Sequence, residues 1–162
     1  MMYRRALEVG PAALVPLAWA FTIGLHRGLF GSQSLRIAHG VMVVLLVAFA
    51  VLGRREMTGG VLAVWLWIIL LGIPITAAGL IGAVYAPPLL ALSLYGWMVL
   101  PALGLIYTGL QPDASIVLYG GGGALSLLGA GIYAAGVGPA ALGLTTVGVG
   151  QTVGIVRAAA SS

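Results

Sequence analysis

The sequence predicts an all-α integral membrane protein, a bundle of about six transmembrane helices in a single transmembrane domain. Three observations predict it. First, 61% of the 162 residues are hydrophobic and only 6% are charged. A soluble domain covers itself with roughly 25% charged residues, and this chain cannot. Mean hydropathy is +1.15, which points the same way. Second, a span needs about 20 apolar residues, so six spans consume roughly 120. That leaves short loops and no soluble catalytic domain. Third, the apolar runs are separated by short clusters of Gly, Pro, Ser and Arg, which are turn and border signals.

The first span is expected over about 11–30. Pro11 and Pro16 fall in its first turns, where a missing N–H costs little. Arg4 and Arg5 precede it and Ala18-Trp19-Ala20 lies within it, in the outline of a signal peptide. We read the segment as a retained first span. Gly31-Ser32-Gln33-Ser34 reads as a turn. The second span, about 35–53, is rich in Val and Leu and stops at Arg54-Arg55-Glu56. The third, about 61–85, opens with Trp65 and Trp67 as interfacial anchors and carries Pro74 in its middle. The fourth, about 89–110, carries Pro101. An internal proline frees a carbonyl one turn earlier and kinks a helix. The fifth, about 115–136, contains Gly120 to Gly123 in a row. The sixth, about 140–156, closes at Arg157.

All seven positive charges are Arg, placed at the ends of apolar runs rather than along a basic stripe. They mark membrane borders, and no nucleic-acid partner is expected. With six spans, one side holds Arg4, Arg5, Arg54, Arg55 and Arg157, and the other holds Arg27 and Arg36. The positive-inside rule then puts both termini in the cytoplasm.

Several chemistries are excluded. The chain has no cysteine, so thiol and thiolate-metal chemistry are absent. It has no lysine, so a retinal Schiff base cannot form. The three acids, Glu8, Glu56 and Asp113, fall at span ends or in loops. Ion-coupled carriers place a carboxylate inside the membrane, and none is expected here. No catalytic residue is assigned, and the reading leans away from an enzyme. Span hydroxyls such as Ser93, Ser126 and Thr76 have no base near them in sequence. The Gly120–Gly123 run lacks the lysine and hydroxyl of a phosphate-binding loop.

The two histidines remain. His26 ends the first span and His39 begins the second, flanked by Arg27 and Arg36. A short turn joins these helices, so both imidazoles are expected at one depth. Two such imidazoles can supply both axial ligands of a b-type haem, with Arg27 and Arg36 pairing with its propionates. Two histidines are too few for a zinc site, and no metal site is assigned. The segment Arg36-Ile37-Ala38-His39-Gly40, leading into an aliphatic helix, resembles the histidine-bearing helices of membrane haem proteins over this one span.

Glycine totals 26, much of it in the last two spans. Helices in lipid associate where small residues let backbones approach. Gly150-x-x-x-Gly154, Gly129 and Gly131 are therefore expected at packing faces, within the bundle or against a second copy or another membrane protein. Gln151, Thr145 and Thr152 make the last helix the most hydrophilic. They suggest either packing glue or a polar path for a small solute.

Three functions follow as expectations. The first is a small membrane protein acting through helix association, as a subunit or scaffold of a membrane assembly. The second is a haem b protein using His26 and His39. The third is a channel or carrier for a small solute.

Overall fold

The computed structural model describes the backbone of residues 2–160 and the side chains of residues 13–160. Arg4, Arg5, Glu8 and Pro11, which the orientation and span readings use, lie outside the described side chains. Among the described residues six α-helices follow one another: α1 (Met2–His26), α2 (Ser32–Gly53), α3 (Gly60–Gly82), α4 (Pro87–Gly109), α5 (Gly121–Ala134) and α6 (Ala140–Ala160). A π-helical turn, Ile116–Gly120, leads into α5. No strand occurs among the described residues. Among the described residues, four helical stretches are long and apolar enough to cross a membrane: Ser32–Gly53, Gly60–Gly82, Pro87–Gly109 and Ile116–Ala134. The chain is a helical bundle with membrane-spanning character.

Several boundaries differ from the sequence reading: α1 begins at Met2, so Pro11 and Pro16 lie inside it rather than in its first turns, and two other differences have a clear local cause. α1 stops at His26 rather than running to Phe30, because Gly28 adopts a left-handed φ of +73°. Its N–H bonds the Leu25 carbonyl at 3.0 Å, and the Leu29 N–H bonds the Gly24 carbonyl at 2.9 Å. This is the two-bond glycine cap that satisfies the last carbonyls of a helix. α2 starts earlier than expected, at Ser32, after an extended Gly31 (φ −92°, ψ 177°). The segment read as a turn is therefore its first turn, and the real turn is the stretch just before it. Gly136 (φ +64°) repeats the same cap after α5, with N–H bonds to the Tyr133 and Ile132 carbonyls from Gly136 and Val137.

The chain divides into two compact units. One is Phe30–Leu100: α2, α3 and the first part of α4. The other joins the residues up to Leu29 to those from Pro101 on: α1, the end of α4, α5 and α6. The boundary inside α4 falls at a proline, yet α4 is continuous helix through Pro101, as α3 is through Pro74.

In the second unit, glycine sets the packing. A methyl group on Gly129 would meet the Val147 nitrogen at 2.6 Å and the Gly143 carbonyl oxygen at 2.7 Å. One on Gly143 would meet Tyr133 at 2.8 Å, and one on Gly150 would collide with the Gly122 carbonyl. So α5 and α6 touch backbone to backbone. Other glycines of α6 meet different neighbours: Gly148 faces Trp19 of α1, and Gly154 faces Leu105 of α4. With no hydrophobic drive between helices in lipid, this close van der Waals contact holds them together.

Candidate functional site

Among the described residues, the largest buried polar side chain is on α6. Gln151 is only 2% exposed, and it shares its face with Leu144, Val147, Gly148 and Gly154, all buried. An amide in such surroundings needs partners. Its Oε1 accepts from the indole Nε1–H of Trp19 at 3.0 Å, and its Nε2–H donates to Ser126 Oγ at 3.1 Å. The indole is donor only, which fixes which end of the amide faces α1. One side chain thus ties α6 to α1 and to α5 at the same level. Trp19 and Ser126 are themselves buried.

Thr145 is exposed and Thr152 half-buried. Seven residues apart, they lie on one face of α6, about 100° around the helix from Gln151 for its neighbour Thr152. The three side chains proposed from sequence as a polar path are thus divided between a buried face and an outer one. Thr146 donates to the Leu142 carbonyl at 2.9 Å, as span hydroxyls commonly do.

Of the packing glycines, Gly129, Gly150 and Gly154 are buried within this unit. Gly131 is exposed, and a methyl group there would meet nothing within 4 Å.

The histidines belong to different units. His26 is exposed at the end of α1. Its Nδ1 pairs with the Thr22 carbonyl at 2.9 Å, and its Nε2 with the Tyr133 hydroxyl at 2.9 Å. A carbonyl only accepts, so in the neutral ring Nδ1 carries the proton and the phenol donates to Nε2. The rings meet edge-on, with centroids 5.6 Å apart. Tyr133 thereby reaches from α5 to α1. His39 is half-buried in α2, and its Nδ1 donates to the Leu35 carbonyl at 3.0 Å. Its Nε2 is directed at α3 and α4, beside Gly79 and Ser93. Arg27 and Arg36 are both exposed. Among the described residues no group of three metal-ligating side chains comes together.

In the unit of α2, α3 and the first part of α4, a second polar link joins helices. Trp97 Nε1–H donates to Thr76 Oγ1 at 2.9 Å, and that hydroxyl donates to the Gly72 carbonyl at 2.7 Å. Gly72 makes room for the indole, since a methyl group there would lie 2.7 Å from its edge. Thr76→Val keeps the shape and removes the acceptor. It is expected to lower stability by about 1 kcal/mol, read from a denaturant midpoint in detergent, whereas Thr76→Ser should retain most of it. An unchanged midpoint in Thr76→Val would remove the link from the account of this unit.

Sequence reasoning singled out Gln151 but not Trp19 or Ser126, and His26 but not Tyr133. Each partner lies on another helix, so only helical phase could have found it. The class defined by these features is a helical membrane bundle with internally satisfied polar links. No family model matches the chain, and no curated protein or solved structure shows significant similarity to it.

Proposed function

We propose that the chain is a small integral membrane protein acting through helix association, as a subunit or scaffold of a membrane assembly. In this reading all six helices cross the bilayer and both termini are cytoplasmic. At 21 residues α6 measures about 31 Å, the thickness of the hydrocarbon core. Its most polar side chain before the closing Arg157, Gln151, faces the bundle rather than lipid. Five Arg against two give the orientation.

The observation that carries association is the outer face of α5. Gly121, Ala124, Leu128, Gly131 and Ala135 recur at spacings of three and four and are all exposed. Neither Gly121 nor Gly131 has any neighbour within 4 Å of a would-be methyl group. Four of the five are Gly or Ala, and small residues at this period let another helix approach closely on either side of Leu128. The opposite face of the same helix is consumed by α6, so the outer stripe is available to a second copy or another membrane protein.

The test is the assembly state in mild detergent, read by cross-linking and mass measurement of intact complexes. Wild-type protein is expected to run as a defined oligomer or with a partner. Gly131→Leu should reduce that species at least about tenfold without changing helicity, since about 1.4 kcal/mol of lost contact suffices. A strict monomer, or an assembly indifferent to Gly131→Leu, would count against this face.

A further inference from the structure

The corner where α2, α3 and α4 meet holds chemistry that the association reading does not use. A methyl group on Gly79 would lie 2.6 Å from His39 Nε2 and 2.6 Å from Ser93 Oγ. The imidazole nitrogen and the hydroxyl oxygen are therefore separated by no more than twice that distance, and they converge because α3 has no side chain there. All three residues belong to the same compact unit.

The two groups are prepared for different roles. His39 Nδ1–H is held by the Leu35 carbonyl at 3.0 Å. That bond fixes the tautomer and ring orientation, and it leaves the lone pair on Nε2, the atom beside Ser93. A base oriented by a third group and brought up to a hydroxyl activates serine as a nucleophile, and here the two groups converge on one point without a hydrogen bond already joining them. Here a backbone carbonyl takes the orienting place. The acids among the described side chains, Glu56 and Asp113, are exposed and lie outside the helices. Ser93 is 2% exposed, in a site where the oxygen is shielded from bulk water. The other deeply buried serine, Ser126, faces the Gln151 amide, which offers a donor and no base.

We propose that Ser93 and His39 form a nucleophile–base pair that accepts an acyl group from an uncharged ester dissolved in the bilayer. The uncharged class follows from the surroundings. No charged residue occurs between Arg36 and Arg54, and none in α3 or α4. In the reaction, Ser93 Oγ attacks the ester carbonyl carbon while its proton passes to His39 Nε2. The bond to the leaving oxygen breaks, and that oxygen takes the proton and departs as the alcohol. Water then attacks the acyl-serine carbon, giving its proton to Nε2. Ser93 Oγ recovers that proton as its bond to the acyl carbon breaks, and the carboxylic acid is released.

The test uses phenylmethylsulfonyl fluoride, a compact apolar reagent that sulfonylates activated serines, on the full chain in mild detergent. Peptide mass mapping is expected to place the adduct on Ser93 and none on Ser126. His39→Gln keeps a hydrogen-bonding side chain without a base, and should slow labelling at least about 100-fold. Gly79→Ala should do the same by wedging the pair apart. Ser93→Ala should give no adduct. Circular dichroism checks that His39→Gln remains folded. Absence of an adduct on wild-type Ser93 overturns the proposal. So does an equal labelling rate in folded His39→Gln.

Discussion

Gly150→Leu is expected to unfold the pairing of α5 with α6, at a cost of about 3 kcal/mol or more. Overpacking in a filled core costs about 1–3 kcal/mol when side chains can yield. Here they cannot. The first carbon of any side chain at Gly150 collides with the Gly122 carbonyl and lies 2.8 Å from the Ser126 nitrogen. Both are backbone atoms of a helix, so relief requires moving α5 as a body. That motion also breaks the bond from Gln151 to Ser126, whose residues flank the contact. The measurement is helicity and near-ultraviolet dichroism across a titration with a denaturing detergent. Gly150→Leu should melt well before wild type, and Gly150→Ala should already fall between them. Gly131→Leu is the control: the space around it within the chain is open, and at dilutions where both proteins are monomeric its midpoint should stay within about 0.5 kcal/mol of wild type. A wild-type midpoint for Gly150→Leu would mean that the helices do not approach as closely as described.

That contrast shows what a glycine pattern can and cannot say. Gly129 and Gly131 are two residues apart, and composition treats them alike. Two residues on a helix are about 200° apart, so one faces α6 and the other faces outward. The helices themselves were legible, because apolar runs of span length between Gly, Pro and Arg clusters leave few alternatives. Their phase was not. A helix apolar on every side has no moment to orient it, and α3 shows this plainly: every residue but Thr76 in its mean run is Gly, Pro or apolar. The end of α1 was missed for a related reason. Gly28 caps the helix only because its φ is positive and the Gly24 and Leu25 carbonyls turn toward it, whereas Leu29 and Phe30 continue the apolar run in sequence. The partners Trp19, Ser126, Tyr133 and Ser93 were beyond reach of spacing rules altogether, since each pairing joins different helices.

Gln151→Leu carries the other large effect, and its sign separates two roles for the amide. If Gln151 faced a solute path, leucine would remove an amide from a wet surface and add apolar contact, leaving stability unchanged or raised. In the geometry described, the amide oxygen accepts from the Trp19 indole and the amide nitrogen donates to Ser126. Leucine then strands a buried donor, which costs about 1–3 kcal/mol because no water reaches it. The substitution is therefore expected to destabilise by about 2 kcal/mol. A double-mutant cycle makes the attribution specific. Trp19→Phe removes the indole donor, so adding Gln151→Leu to it should cost about 1 kcal/mol less than adding it to wild type. Additive losses would show that the two residues act separately. A stabilised Gln151→Leu would move Gln151 from the packing of α1, α5 and α6 to a hydrated path, and would favour solute transport over association as the reading of this bundle.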